Sequence, residues 1–317
     1  MIQMTQIASR ILSEPEVPRK LDGALTVDLE DWRCALNPTK DADYKARPQL
    51  NEEYLVRSTA NMLRVLENAG AKATFFVLGE VAQAVPEVVR EVSRRGHEVA
   101  SHSPVHLPVD KIPRDKLETM ILRDAELLEE LAGRRPLGFR APYLAISRKD
   151  GWLFEILAKS GFVYDSSVAP TWTPYWGIPS APKRAYFPDT SDLAMPSVKG
   201  KIIEFPLTVW PSWRMLPGLP IAGGFYMRAW PPSVMRWMLR RNTEAGVPLN
   251  LYIHQGNIES EKERVPNPSV RDKISQYVWS ARGMSSFQSI LAEFKFGTLY
   301  DVHKEEIDGA EENRKAA

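Results

Sequence analysis

The sequence predicts an α/β fold built as one barrel, on three observations. Short β-rich runs alternate with longer helical patterns, as in a parallel sheet with crossover helices. Seven or eight such units occupy roughly 280 residues, which suits one barrel better than two domains. The 317 residues are 44% hydrophobic and 26% charged, an ordinary globular composition that can bury a sizeable core.

The first strand reads Ala24–Asp28 (ALTVD), and a helix follows near Tyr54–Asn68, where Leu55, Met62, Leu63 and Leu66 share one face. Ala73–Leu78 (ATFFVL) is a short apolar run suited to a buried strand, Glu80–Arg95 reads as helix, Glu98–Ser101 as strand and Arg114–Leu131 as helix. A strand runs into Arg140, a helix covers Lys149–Ser160, and Phe162–Tyr164 is the next strand. Late strands are expected at Lys201–Phe205, Leu249–His254 and Thr298–Val302, with helices near Pro232–Ala245 and Met284–Phe294. The stretch 170–232 holds 12 of the 25 prolines and five of the nine tryptophans, so it reads as irregular chain around one strand, covering one end of the barrel. The expected organisation is an N-terminal extension at 1–20, one barrel domain at 21–304 and a polar tail at 305–317, frayed after Asp308.

Composition removes several function classes. Lys+Arg 41 against Asp+Glu 40 leaves a net charge of +1 with no basic stripe, which argues against nucleic acid as a partner. The single cysteine, Cys34, excludes an intrachain disulfide, and no cysteine-based zinc site is expected. No run of about 18 apolar residues occurs, and the N-terminus lacks the apolar centre of a signal peptide. A cytoplasmic location without a transmembrane segment is therefore the expectation.

Four features can carry chemistry, all at predicted carboxyl ends of strands, where α/β barrels place their sites. His102 and His106 form an H-x3-H pair. Ser103 and Pro104 suit the cap and first position of a helical turn that would bring both imidazoles to one point. Such a pair can hold a metal, or can be a surface coincidence. Asp28, Glu30 and Asp31 crowd three carboxylates where the first strand ends, which calls for a cation or donors among them unless the turn is simply solvated. One carboxylate with two histidines leaves metal positions open for water, as in catalytic sites. Arg140 precedes the rigid Ala-Pro-Tyr143 turn: its guanidinium could orient a carboxylate and the turn could aim N–H groups at an oxyanion, or Arg140 could be a surface ion pair. His254 ends an apolar strand and reads either as structural or as an acid–base group.

The ordered segments TVDLED, ATFFVLGEVA, GHEVASHSPVH, GFRAPY, YDSS, EFP, AGGFYMR and LYIH resemble the polysaccharide deacetylase family (NodB homology, carbohydrate esterase 4). The later ones resemble its exopolysaccharide- and protein-sorting-associated bacterial subgroup. The resemblance covers about residues 22–260 and implies a distorted (β/α)7-type barrel with one divalent metal, commonly zinc. It implies that His102 and His106 are metal ligands, Asp28 the general base, Arg140 its orienting partner, Tyr143 an oxyanion-hole N–H, and His254 the general acid. The third ligand is left between Glu30 and Asp31; strand alternation, which puts positions 28 and 30 on one face, favours Glu30. His254-Gln-Gly-Asn departs from the subgroup's usual continuation. The implied activity is N-deacetylation of an N-acetylated sugar in a polysaccharide or glycan precursor. The competing readings are hydrolysis of another amide, such as a cyclic imide or allantoin-like ring, and a non-catalytic sugar-binding relative. The tryptophans of the 170–232 stretch can line a glycan cleft or form that stretch's own core. The sequence leaves the oligomeric state open.

Overall fold

The computed structural model describes residues 20–35, 49–173, 176–211, 218–259, 273 and 277–316. Twelve strands are defined among them: β1 (Gly23–Leu29), β2 (Thr74–Val77), β3 (Glu98–Ser101), β4 (Gly138–Phe139), β5 (Tyr164–Asp165), β6 (Pro188–Asp189), β7 (Asp192–Pro196), β8 (Ile203–Glu204), β9 (Val209–Trp210), β10 (Leu219–Pro220), β11 (Leu249–His254) and β12 (Phe296–Gly297). The main sheet runs β11-β1-β2-β3-β4-β5-β8, all parallel, and β12 pairs with the start of β1. Between β8 and β11 the wall is closed by hydrogen bonds rather than by strand pairing. Thr208 N donates to Asn250 O (3.0 Å), Asn250 N to Thr208 Oγ1 (2.6 Å), and Asn250 Nδ2 to Phe205 O (2.8 Å). The result is the distorted (β/α)7-type barrel expected.

Period-two alternation sorts the strand residues onto two faces. Leu25, Val27 and Leu29 join Phe75, Val77, Leu251 and Ile253 in the core shared with the helices. The intervening Thr26, Asp28, Phe76 and Tyr252 face inward, where Arg140 lies 4.1 Å over the Phe76 ring and 5.6 Å over Tyr252. The same alternation carries Asp28, Glu30, His102, Arg140 and His254 toward the carboxyl end of the barrel interior.

The helices are α1 (Glu52–Asn68), α2 (Gly79–Ala84), α3 (Pro86–Arg94), α4 (Arg114–Ala132), α5 (Gly151–Lys159), α6 (Gly224–Ala229), α7 (Pro232–Glu244), α8 (Gly283–Leu291), α9 (Leu299–Val302) and α10 (Lys304–Ala316). Asn51 caps α1 by accepting from Tyr54 N (3.0 Å). None of the described helices is long and apolar enough to cross a membrane.

Three expectations about elements need correcting. The single helix over Glu80–Arg95 is two, because Pro86 has no N–H to continue α2 and instead sits at the first turn of α3. The strand expected at Thr298–Val302 is the short helix α9, started by a reciprocal capping box between Thr298 and Asp301. The tail after Asp308, expected to be frayed, continues as α10 to Ala316, and this helix buries Ile307 and Ala310 against the barrel's inner core. The 170–232 stretch is largely irregular, as expected, but adds two hairpins (β6–β7 and β9–β10) and α6. Its Trp176, Trp210 and Trp230 pack on the main core while Trp172 is 71% exposed; Trp213 lies outside the described residues, as does nearly all of the 1–20 extension.

Candidate active site

Arg140 is fully buried and is the pivot of the site. Its Nη1 donates to Asp28 Oδ1 (2.7 Å) and to Thr26 Oγ1 (2.8 Å), its Nε to Ser166 O (2.8 Å) and its Nη2 to Ser166 Oγ (3.0 Å). A guanidinium so committed fixes the Asp28 carboxylate in one orientation. Arg140 is thus no surface ion pair.

One carboxylate gathers the histidines. Glu30 Oε2 lies 2.6 Å from His106 Nε2 and 3.7 Å from His102 Nε2, and Oε1 lies 3.2 Å from His254 Nε2. His254 arrives there because β11 pairs with β1 in the register Asp28↔His254. Burial pushes the Glu30 carboxyl up, but His106, His254 and His102 outweigh it and hold it well below the usual range. Burial opposes charge on His102, and the Asp28 and Glu30 carboxylates outweigh it, raising the imidazole above its usual value.

Asp31 goes elsewhere. Its Oδ1 accepts from Arg33 N (3.0 Å) and its Oδ2 from Asn51 N (3.0 Å), so it ties the loop after β1 to the start of α1. Of the two carboxylates left open by the sequence, the structure turns Glu30 toward the histidines and Asp31 away from them.

The loop carrying His102 and His106 is a chain of bends, not the capped helical turn expected from Ser103 and Pro104. Ser103 is left-handed (φ 73), and the first amides of α2 hold the loop, Gly79 N on Ser103 O (3.0 Å) and Glu80 N on Pro104 O (3.0 Å). Ser101 Oγ donates to Asp124 Oδ2 (2.6 Å) on α4 and accepts from Ser103 N (3.2 Å). Burial pushes the Asp124 carboxyl up to about 7, with the Ser101 bond and His102 opposing. Tyr143 is also left-handed (φ 59), and its ring tilts over His106 with centroids 4.2 Å apart. With Leu144 (φ 53) beside Tyr143, three non-glycine residues in this sparsely allowed region at one site mark backbone held there by its surroundings.

Several contributors escape sequence reasoning. Cys34, on the 3-10 turn after β1, is buried, and its ligand atom, with one each from Glu30 and His106, forms a set lying within 4.8 Å of one another. The expectation of no cysteine-based zinc site meets a mixed set here, in which the one thiol lies beside a carboxylate and an imidazole that together could hold an ion. Gln255 Nε2 donates to Glu30 O at short range, pinning the backbone of that residue. Asn257 Oδ1 accepts from His254 N (2.8 Å) and lies 3.4 Å from His254 Nδ1. These two are the residues of the unusual His-Gln-Gly-Asn segment, and their contacts are to the site itself. No local pattern could have announced them. By contrast His97 is structural as expected: its Nδ1 accepts from Ala73 N (3.2 Å), and burial pulls it down to about 4. His303 stacks on Phe205 at 4.2 Å.

The donor set fits a cation. His102 Nδ1 lies 2.9 Å from Arg140 O, a contact that requires the proton on Nδ1 and leaves the Nε2 lone pair facing a carboxylate. Lone pair against carboxylate repels unless a proton or metal lies between. Glu30 Oε2 is buried without a well-aligned hydrogen bond, in keeping with this.

Comparison with known proteins bears on this geometry. Residues 50–162, which include His102, His106, Arg140 and Tyr143, match the family model described as "Polysaccharide deacetylase". Over that span, about a third of its length, the chain is similar to the polysaccharide deacetylase family. Residues 166–304, with His254, match a second model, "Domain of unknown function (DUF3473)". Asp28 and Glu30 precede both spans. The chain is 28% identical over 162 residues to the peptidoglycan deacetylase of Helicobacter pylori, covering 50% of this chain and 54% of that one. It is 35% identical over 85 residues to a peptidoglycan-N-acetylglucosamine deacetylase of Bacillus cereus, covering 27% and 31%. These matches span about half or less of each relative. A solved Mycobacterium smegmatis structure assigned to the polysaccharide deacetylases shares the fold, with TM-score 0.57, 19% identity and 93% of each chain covered.

Proposed function

We propose that this chain is a metal-dependent hydrolase that removes the acetyl group from an N-acetylated sugar of a polysaccharide or glycan precursor. The observation that carries the reading is the convergence of His102, His106 and His254 on Glu30, beside an Asp28 held by the buried Arg140. The family and the deacetylases it is similar to support the reaction type.

Glu30, His102 and His106 would hold the metal, with Cys34 close enough to join them. Such an ion polarises the acetamide carbonyl and acidifies water. Asp28, aimed by Arg140, takes the proton of the attacking water. The Tyr143 N–H donates to the developing oxyanion, a contact of a kind worth roughly 3–4 kcal/mol. His254, steadied by Asn257, gives a proton to the departing amine, which leaves poorly as an anion. The site has the parts for amide hydrolysis, and the similarity to sugar deacetylases supports the acetamide of a sugar over a ring amide as the substrate.

The test is acetate release measured side by side from N-acetylglucosamine oligomers, nucleotide-linked N-acetyl sugars, and cyclic ureides and imides. Chelator-sensitive acetate release from a sugar is expected. Turnover of ring amides alone would replace the substrate class while leaving the site chemistry in place.

A further inference from the structure

Two buried carboxyls take no part in that chemistry. Asp165 and Glu204 are 0% exposed and are register partners on the neighbouring parallel strands β5 and β8. They belong to the YDSS and EFP segments, which the functional reading leaves without a role. On the inner face, their neighbours Ser166 and Phe205 are tied to the site through Arg140 and Asn250.

Their hydrogen bonds define what the pair can be. Asp165 Oδ1 accepts from Ser167 N (2.9 Å) and Oδ2 from Ser167 Oγ (2.9 Å), so Asp165 meets donors on both oxygens, as a carboxylate does. Glu204 Oε1 accepts from Val168 N (3.0 Å), while Oε2 is buried without a hydrogen-bond partner among the described residues, on the strand position directly opposite Asp165. Two carboxyls buried side by side on neighbouring strands cannot both ionise, so one of them keeps its proton. Burial and the Asp165 charge push Glu204 well above the usual carboxylate range. The charged or titratable groups bearing on the pair are Arg140, across the sheet, and Tyr186.

The pair reaches the site in two short steps. The Ser167 hydroxyl, committed as donor to Asp165, accepts from Ala141 N (2.8 Å), the first amide of the turn that carries Tyr143. Ser166, held between Asp165 and Ser167, supplies two of the acceptors that fix Arg140, and Arg140 fixes Asp28.

We propose that Asp165 and Glu204 hold one proton between them, carried on Glu204, and act as a positioning pair for Arg140 and the Ala141–Tyr143 turn. The proposal rests on the deacetylase reading for its kinetic readout only. The experiment compares Glu204→Ala, Glu204→Gln and Asp165→Asn for metal content, kcat and KM in acetate release, and the infrared band of protonated carboxyls. Glu204→Ala and Asp165→Asn are expected to lower kcat about 10–100-fold with KM and metal content little changed. Glu204→Gln should recover most of the loss, because an amide can donate as the protonated acid does. The wild-type infrared band should shrink by one carboxyl in Glu204→Gln. A Gln variant as slow as the Asn variant, or one that leaves the band untouched, overturns the proposal. If Glu204→Ala does not fold, the Gln and Asn variants still decide it. Should the wild type release no acetate from any sugar, the functional reading fails while the infrared comparison still tests the pair.

Discussion

Replacing Arg140 by methionine should destabilise the protein by more than any loss of packing explains. Arg140 is fully buried and donates to Asp28, Thr26 and twice to Ser166. Arg140→Met keeps most of the apolar stem but leaves the Asp28 carboxylate, itself only 3% exposed, without its ion-pair partner. Breaking one side of a buried pair costs about 3–5 kcal/mol. The same reasoning predicts non-additivity: Asp28→Asn removes the stranded charge, so Arg140→Met/Asp28→Asn should be more stable than Arg140→Met alone by about 1–3 kcal/mol. Urea unfolding at equal metal loading, followed by tryptophan fluorescence and circular dichroism, measures all four members of the cycle, with coincident transitions required. A cost below about 1 kcal/mol for Arg140→Met, or strict additivity in the double variant, would refute the view that burial of this pair dominates the site's energetics.

Three further outcomes are expected. In Gly224→Ala the new Cβ would stand 1.9 Å from Asn257 Oδ1, the acceptor of His254 N, so kcat should fall by up to about 10²-fold at unchanged metal content. Asp31→Ala should retain metal yet lose stability, by about 1–3 kcal/mol for each amide left without an acceptor, with the lower end favoured because those contacts are only part-buried; loss of metal would return Asp31 to the ligand set. Asp124 holds its proton in the folded state up to about 7 against an ordinary 3.8, so the folded protein binds the extra proton. Its stabilising contribution is complete below that ordinary value and declines as pH rises toward 7, by about 1.4 kcal/mol per pH unit, a slope that Asp124→Asn should flatten in stability-versus-pH measurements.

The sequence made legible what depends on strand ends and alternation. Asp28 and Glu30 share a face because the side-chain period of a strand is two, and that period favours Glu30 over Asp31 as the carboxylate nearer the histidines. Glu98–Ser101 and Leu249–His254 are legible as strands, and their ends bring His102 and His254 to the site. What stayed hidden depends on contacts between segments far apart in the chain. Gln255 meets Glu30 across 225 residues, and Asp124 meets Ser101 across two elements. Cys34 reads from the sequence as a lone thiol, and only the turn after β1 sets it beside His106. The left-handed Ser103 escaped as well, because a serine before a proline reads as a helix cap until the α2 amides are seen holding its carbonyl.

The most direct test of the account is a titration of chelator-stripped protein with zinc, following acetate release from an N-acetylglucosamine oligomer. The account predicts activity that rises to a plateau at one equivalent of metal per chain in the wild type and in Asp31→Asn, and no recovery in Glu30→Gln. Full activity in the stripped wild-type protein, or recovery in Glu30→Gln matching the wild type, would contradict a metal-centred reaction at Glu30, His102 and His106.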